Sequence, residues 1–234
     1  MLPDFMTCET LFAKYDISLA KDVYDKLSVY ESFLVEYNQN VNLTAITDGR
    51  EILIKHFLDS CILLKYAEIP QNSTLIDVGT GAGFPSVPIK LMRPDIKLTL
   101  LDSLGKRITF LELLCEKLGV EADFVHGRAE DCGKNTEYRE KYDFACARAV
   151  ANIALLSEYC LPLVRVGGEF LAMKGPNEDI SAGLGAVKLL GGRLKCDKEY
   201  DVCSEARRLV TIKKISQTPT KYPRNSSQIK KKTL

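Results

Sequence analysis

From residue 73 onward, short apolar runs alternate with segments that have a helical pattern. The apolar runs are TLIDV, KLTLLD, ADFVH, YDFACA and GEFLAMK, and helical segments such as GKRITFLELLCEKLG and ANIALLSEYCLPLVRVGG separate them. Strands and helices of these lengths form βαβ units, whose parallel sheet is covered by helices on both faces. The sequence therefore predicts a Rossmann-like α/β fold, and GRLKCDKEYDV with ARRLVTIKKI predicts a hairpin that closes the sheet.

The segments on either side of this alternating region have different patterns. Apolar residues recur at helical spacing over 20–39, and a second helix is predicted over 49–68, so residues 1–70 are expected to form a helical cap. Residues 71–216 then form the α/β domain. Residues 217–234 contain two prolines, a polar run and a basic triplet, and we expect them to be an irregular, partly mobile basic tail.

Composition places the chain among ordinary globular proteins, with 46% apolar and 27% charged residues. No apolar run approaches the roughly 18 residues that span a bilayer, and the start lacks the layout of a signal peptide, so the cytoplasm is expected. The eight cysteines include no C-x-x-C pair and are accompanied by two histidines. Buried free thiols are therefore favoured over a metal site.

The net charge of +1 conceals an uneven distribution along the chain. From Glu205 to the end there are nine Lys or Arg residues and one acid, which leaves a net charge of −7 on residues 1–204. A basic arm on an acidic protein indicates a polyanionic partner, although a solvated charged terminus explains it equally well.

The stretch DVGTGAGFP follows the first predicted strand, where the ligands of doubly wound sheets bind. Its glycines are Gly79, Gly81 and Gly83, and Phe84 occupies the sixth position, where the dinucleotide fingerprint has glycine. No P-loop ending is present, so a phosphate cradle is disfavoured. Gly79 and Gly81 leave backbone amides open to an amino-acid carboxylate, and Asp77 could take an ammonium group directly or through water.

Asp102 ends the second predicted strand, 25 residues beyond Asp77. An acid at this place is suited to accept both hydroxyls of a ribose. Asp102 could instead cap the next helix, but Ser103 is available for capping. A ribose and an amino acid without a phosphate match S-adenosylmethionine.

The third strand is followed by GRAED. Adenine needs an apolar slot and a polar group at its edge, so Ala129 and Glu130 could flank it. Arg128 is expected to form an ion pair at a helix end, and His126 is expected to be a core histidine.

The fourth and fifth strands end in FACARAV and LAMKGP. Neither an (N/D)-P-P-(Y/F) stretch nor a Pro-Cys nucleophile is present, and Cys146 is interpreted as a packed thiol. Arg148 is placed to meet the cofactor or a substrate phosphate. Lys174 could hold RNA phosphate or a guanine edge, or be a plain surface lysine. His56 and Asp59 share one helix face, where they could pair or face the cofactor.

Several motifs together resemble one known family. NLTAI, HFLDS, DVGTGAGFPSVPI, LLDSLGKRITFL, GRAED, ARAV and AMKG occur in this order over nearly the whole chain. They are similar to the RsmG family, also called GidB, whose members methylate nitrogen-7 of a guanine in bacterial small-subunit (16S) ribosomal RNA. The tail TKYPRNSSQIKKKTL resembles the basic tail of many members, which usually has more prolines and glycines.

The resemblance implies S-adenosylmethionine as the cofactor and a set of site residues. Gly81 and Asp102 follow from the pattern described above, and the resemblance adds the other residues. The full set of expected cofactor-binding residues is Gly79, Gly81, Phe84, Asp102, Ala129, Glu130 and Arg148. The candidates for RNA contact are Lys106, Arg107, Lys174, Lys221 and Arg224. No metal, no membrane and no general acid or base is expected, and the protein is expected to be a monomer bound to ribosomal RNA or a ribosomal particle.

Two other functions are compatible with parts of this pattern. One is methyl or aminopropyl transfer to a small molecule, which the basic tail and LLDSLGKR disfavour. The other is a ribosome-assembly protein that keeps the fold without catalysis, which intact Gly79, Gly81 and Asp102 disfavour. The tail is expected to serve RNA binding and to leave cofactor affinity unaffected.

Overall fold

A computed structural model describes residues 1–148 and 151–234, and its centre is one seven-stranded sheet. The strand order is β3-β2-β1-β4-β5-β7-β6, in which β1 to β5 pair in parallel and β7 pairs antiparallel with β5 and β6. The mostly parallel sheet and the closing hairpin are thereby confirmed. The strands are β1 Thr74–Val78, β2 Lys97–Asp102, β3 Asp123–His126, β4 Tyr142–Arg148, β5 Val164–Lys174, β6 Gly192–Val202 and β7 Glu205–Lys214.

Helices cover both faces of the sheet, as predicted for parallel strands that are buried on both sides. Alternate residues of β4 show the division, because Phe144 and Cys146 join one apolar cluster while Ala145 and Ala147 join the other. The first cluster includes side chains of α2, α4, α5 and α6, and the second includes those of α7, α8 and α9. These helices are α2 Lys21–Asn38, α4 Asp59–Tyr66, α5 Ser86–Met92, α6 Gly105–Leu118, α7 Ala129–Cys132, α8 Ile153–Cys160 and α9 Leu184–Leu189.

The N-terminal region is helical, with one helix more than expected. α1, Phe5–Ala13, is capped by Asp4, whose carboxylate accepts the Thr7 N–H at 3.0 Å. α2 agrees with the predicted helix within one residue at each end, and its Leu27, Tyr30 and Leu34 are fully buried. The short α1 was missed because a nine-residue helix shows too few turns for a clear periodicity.

The second predicted helix is present but is interrupted by a π-helical turn. It comprises α3, Gly49–Ile52, the π-helical segment Leu53–Leu58 and α4. A π turn rotates the following side chains relative to a regular α-helix, and such turns are frequent at functional sites. Here the turn contains His56 and directly precedes Asp59. No helix in the described ranges is both long and apolar enough to cross a bilayer.

The basic tail is irregular as far as Asn225, as the sequence predicts, but it does not lie free of the domain. It packs against the α/β domain with Thr218, Tyr222 and Ile229 buried, and it ends in a short helix, α10, Ser226–Lys231. Asn225 caps this helix through a reciprocal capping box with Gln228. A polar composition favours disorder only where too little apolar surface is buried, and Tyr222 and Ile229 supply that surface here.

The cysteines also depart in part from expectation. Six of the eight are buried free thiols, whereas Cys196 and Cys203 are exposed near the edge hairpin. Within the described ranges, no group of three or more His, Cys, Asp or Glu side chains is arranged to hold a metal ion.

The turn from β1 into α5 has all three of its glycines at positive φ, with Gly83 at 95°. A Cβ added at Gly83 would lie 2.7 Å from the Tyr30 hydroxyl and 2.8 Å from a Val87 methyl carbon. The glycine loop therefore packs against α2 and α5 at a distance that only glycine allows.

We expect Gly83→Ala to lower the free energy of unfolding by about 2–4 kcal/mol, since it combines strain at positive φ with steric overlap in the core. Gly119→Ala is the matched control, because Gly119 has φ of 60° and a Cβ there meets nothing within 4 Å. The control should cost about 1 kcal/mol. Denaturant unfolding measures both, and equal losses would contradict the packing role of Gly83.

Candidate cofactor and substrate sites

A cavity of about 480 Å³ lies at the carboxyl ends of β1 and β2, beside the glycine loop. Cavities of this size hold small-molecule cofactors. All the residues that the sequence analysis named as cofactor-binding line it, which are Gly79, Gly81, Phe84, Asp102, Ala129, Glu130 and Arg148. The fold thus brings together residues that are spread over 70 positions of the chain.

The glycine loop is attached to the end of β2. The N–H groups of Gly79 and Thr80 donate to the Leu101 carbonyl at 2.8 and 3.2 Å. The Asp102 carboxylate accepts the Gly81 N–H through Oδ2 at 3.0 Å and the Leu104 N–H through Oδ1 at 2.9 Å. The expectation that Ser103 caps α6 is wrong, because α6 begins at Gly105 without a side-chain cap and Asp102 itself holds the turn.

Arg107 lies at the same carboxylate. Its Nη1 is 3.2 Å from Asp102 Oδ2, and the side chain of Arg107 is 32% exposed while that of Asp102 is 2% exposed. Asp102 therefore already accepts three N–H groups, and a carboxylate has about four lone-pair directions. The neighbouring Lys106, also named as an RNA contact, is exposed at the first turn of α6.

Phe84 is held between two rings of the N-terminal region. Its ring centroid is 5.3 Å from that of Tyr30 and 4.4 Å from that of His56, and both pairs are stacked. The Tyr30 hydroxyl donates to the Ala82 carbonyl, which fixes the loop from the other side. The sixth position of the loop is therefore an aromatic anchor for the N-terminal helices, which a glycine there could not provide.

Arg148 connects the end of β4 to the π-helical turn. It donates to the Lys55 carbonyl at 2.9 Å, to Asp59 Oδ2 at 3.1 Å and to His56 Nδ1 at 3.2 Å. The guanidinium carbon also lies 5.0 Å from the Phe84 ring centroid. The last two residues of the ARAV motif, Ala149 and Val150, lie outside the described residues.

His56 has polar neighbours at both ring nitrogens. Nδ1 lies 3.2 Å from Arg148 Nη2, which can only donate, and 3.2 Å from the Lys55 carbonyl oxygen, which can only accept, while Nε2 lies 2.9 Å from Thr44 Oγ1. Burial, together with the charge of Arg148, lowers the pKa of His56 to about 4. His56 is therefore neutral at neutral pH.

Asp77 lies beneath the glycine loop and does not line the cavity. It is fully buried, and the Ser86 hydroxyl donates to its Oδ2 at 2.5 Å. Burial raises the pKa of this carboxyl to about 6. The expected direct contact between Asp77 and a ligand ammonium therefore does not fit its position.

The far wall of the cavity consists of Ala129 and Glu130 together with Arg128 and Tyr159. Glu130 is buried at 4% exposure, whereas Arg128 makes no ion pair with the described residues. The expected helix-end ion pair of Arg128 is thus wrong. His126 is exposed rather than buried in the core, and its Nε2 lies 3.3 Å from the Ser103 carbonyl oxygen.

A second cavity of about 600 Å³ adjoins the first, and His56 and Arg148 belong to the walls of both. Its other polar lining residues are Lys55, Asp59, Lys174, Glu178, Tyr200 and Arg207. Lys174 is 8% exposed, and its ammonium group donates to the Ala151 carbonyl and lies 3.2 Å from Glu178 Oε2. Lys174 is therefore a buried wall residue and not a surface lysine.

Asp59 is the buried acid of the second cavity. Its Oδ2 pairs with Arg148, while its Oδ1 has no hydrogen-bond partner among the described residues, although Arg207 Nε is 3.5 Å away. Burial raises the pKa of this carboxyl, and the Arg148 and Arg207 charges act in the opposite direction. A carboxylate in the wall of a cavity is suited to a ligand that donates hydrogen bonds.

The remaining RNA candidates lie on the tail. Lys221 is exposed, whereas Arg224 is held by Glu158 through Nε at 2.8 Å and Nη2 at 2.6 Å. Neither residue lines a described cavity.

Four polar residues that line the cavities were not predicted from the sequence, namely Thr44, Tyr159, Tyr200 and Arg207. Thr44 belongs to the quoted NLTAI motif, so a signal was present without a role attached to it. Tyr200 and Arg207 lie on the closing hairpin, which has no motif and reaches the site only through its antiparallel pairing with β5.

The sheet order and the cavity at its carboxyl edge define the class of Rossmann-like folds. A putative methyltransferase from Bacillus halodurans C-125 superposes with a TM-score of 0.54 at 13% identity, covering 68% of this chain and 99% of that chain. A SAM-dependent methyltransferase from Aquifex aeolicus superposes with a TM-score of 0.53 at 18% identity, covering 69% and 92%. At such identities the likeness establishes the fold.

The sequence comparisons identify the family. The family model GidB, described as rRNA small subunit methyltransferase G, matches residues 23–188. Proteins named ribosomal RNA small subunit methyltransferase G are 46% identical over 229 residues in Lactobacillus acidophilus and 48% identical over 214 residues in Alkaliphilus metalliredigens. These alignments cover 95% of both chains in the first case, and 89% of this chain and 90% of the relative in the second. The chain belongs to this family, and S-adenosylmethionine is its cofactor.

We expect Asp102→Ala to weaken the binding of S-adenosylhomocysteine by about ten- to a hundredfold, since hydrogen bonds to a charged group contribute about 1.5–3 kcal/mol. The variant loses both an acceptor in the cavity and the bond that holds Gly81. Titration calorimetry measures the change. Asp95→Ala is the control, because Asp95 accepts the Asn72 N–H in a turn outside the cavity. Equal affinities of wild type and Asp102→Ala would contradict this role.

Proposed function

We propose that the chain transfers the methyl group of S-adenosylmethionine to nitrogen-7 of a guanine in bacterial small-subunit ribosomal RNA, with donor and acceptor in the two adjoining cavities. Family membership supports the reaction and the RNA substrate. The observation that supports adjacent donor and acceptor sites is that both cavities are lined by His56 and Arg148.

The first cavity has groups that fit the nucleoside part of the cofactor, since Asp102 suits the ribose and Ala129 with Glu130 suits adenine. The expectation that the Gly79 and Gly81 amides are open to the methionine carboxylate is wrong, because these N–H groups already donate to the Leu101 carbonyl and to Asp102. Since Asp102 already accepts three N–H groups, two ribose hydroxyls can bind it only if Arg107 moves away. Arg107 is 32% exposed, and an RNA phosphate that takes its guanidinium from Asp102 then couples the two partners.

The chemistry requires alignment and a suitable electrostatic environment. When bound, the cofactor supplies a methyl group on a positively charged sulfonium. Guanine nitrogen-7 attacks with an in-plane lone pair, so no general base is needed, and orientation alone contributes up to roughly 7–11 kcal/mol. A pKa of about 4 keeps His56 neutral beside this charge. The carboxylate of Asp59 offsets the charge of Arg148, with which it pairs at 3.1 Å.

Asp59 also supports the selection of guanine. Asp59 lines the second cavity, and guanine is the base that presents two neighbouring donors, the N1–H and the 2-amino group. Adenine has an acceptor at N1 and would face the carboxylate with a lone pair, which is costly. Lys174 and Arg207 in the same cavity are suited to the guanine O6 or to phosphate.

Asp59→Asn should lower kcat/KM for ribosomal RNA by about ten- to a hundredfold, because the charged acceptor for the base is lost. Affinity for S-adenosylhomocysteine should remain within about threefold of wild type, since Asp59 does not line the first cavity. The control is Glu205→Gln, as Glu205 also pairs with Arg207 but is 42% exposed. An unchanged kcat/KM in Asp59→Asn would contradict the assignment of the base site.

The reaction itself is tested by mapping 7-methylguanosine in ribosomal RNA from cells with and without the gene. One position of the small-subunit RNA should lose its methyl group and regain it when the gene is restored. An unchanged map would refute the proposed function. Labelled methyl transfer to free RNA and to small-subunit particles then identifies the physical substrate, and the absence of any transfer would favour an assembly protein.

We further propose that the protein is a cytoplasmic monomer that needs no metal, with residues 1–70 as a cap, 71–216 as the catalytic domain and 217–234 as the tail. Lys106, Arg107, Lys174 and Lys221 are proposed RNA contacts, which makes binding strongly dependent on salt. An RNA contact by Arg224 has to compete with its ion pair to Glu158.

A further inference from the structure

The C-terminal strap, defined here as residues 216–229, crosses from the end of β7 to the outer wall of the cofactor cavity. Two neighbouring residues anchor its first half. The Thr218 N–H donates to Glu140 Oε1 at 2.8 Å, and the Arg139 guanidinium donates to the carbonyls of Thr218 and Tyr222 at 2.7 and 2.9 Å. The strap is thus fixed to the domain before it reaches the cavity.

Arg224 attaches the strap to α8. Besides the two guanidinium contacts, its backbone N–H donates to Glu158 Oε1 at 2.8 Å, and the Glu158 side chain is 1% exposed. Paired and buried charges of this kind are costly to break on one side only. Glu158 directly precedes Tyr159, which lines the cofactor cavity.

Ser226 attaches the strap to α7. Its hydroxyl donates to Glu130 Oε1, and Glu130 lines the same cavity. α7 has four residues and no side-chain cap, so it constrains Glu130 weakly by itself. Asn225 and Gln228 fix the backbone around Ser226 through the capping box. A rigid donor on the strap therefore meets a side chain on a short, weakly held helix.

We propose that the strap is a working part of the cofactor site, with Ser226 as a positioning residue that holds Glu130 in its binding orientation. The inference rests on the proposed contact of Glu130 with the adenine of S-adenosylmethionine. It changes the expectation that the tail serves RNA alone. Because the strap leads directly into Lys230, Lys231 and Lys232, RNA held by these lysines and cofactor held by Glu130 act on one continuous segment.

Steady-state methylation with Ser226→Ala tests the inference. The KM for S-adenosylmethionine should rise about three- to tenfold, while kcat at saturating cofactor stays within about twofold. The reason is that the hydrogen bond from Ser226 orients Glu130, which affects cofactor affinity and not the methyl-transfer step. Ser226→Thr keeps the hydroxyl and should restore the KM. Ser227→Ala is the matched control, since the Ser227 hydroxyl donates to Asn225 Oδ1 at 2.7 Å and not to Glu130. A chain ending at Asn225 keeps the Arg224 pair and should raise the KM for S-adenosylmethionine at least as much as Ser226→Ala, with an additional loss of RNA affinity because Lys230, Lys231 and Lys232 are removed.

Glu130→Ala separates this inference from the function on which it rests. If Glu130→Ala raises the KM for the cofactor and Ser226→Ala does not, the strap has no positioning role and the inference is overturned. If neither variant changes the KM, Glu130 does not contact the cofactor, and the proposed adenine site fails together with the inference. A lower melting temperature of unliganded Ser226→Ala with an unchanged KM would also overturn it, because the bond would then be structural alone.

Discussion

The guanidinium of Arg148 is the interaction on which the site depends. It joins the carboxyl end of β4 to a π-helical turn more than 80 residues earlier in the chain, through Lys55, His56 and Asp59. The same group forms part of the wall between two cavities and covers the Phe84 ring. One planar cation with several fixed donors can satisfy all these partners at once, which an ammonium group could not.

The N-terminal helices complete the cofactor site as well as covering the sheet. Tyr30 and His56 both stack on Phe84, and Tyr30 also holds the Ala82 carbonyl. Asp102 holds the loop from the opposite side through Gly81. The protein itself therefore holds the loop in place, and such preorganisation reduces the ordering cost of cofactor binding.

Much of the fold was predictable because its signals are local. The alternation of strands and helices predicted the parallel sheet, and the residues that follow each strand predicted the lining of the first cavity. Local signals failed where a partner distant in sequence decides the outcome. Ser103 does not cap α6, His126 is exposed, and Arg224 is held by Glu158, none of which a short stretch of sequence could indicate.

The sequence by itself determined the sheet, the glycine loop and the acid at the end of β2, since these follow from periodicity, φ requirements and spacing, and its motifs carry the resemblance to the family. Tertiary structure alone decided that a second cavity shares Arg148 and His56 with the first, that the buried Asp59 lies in its wall, and that the basic tail reaches Glu130. The physical reason is that burial and hydrogen-bond partnership depend on which distant segments pack together, and a linear pattern does not specify that packing.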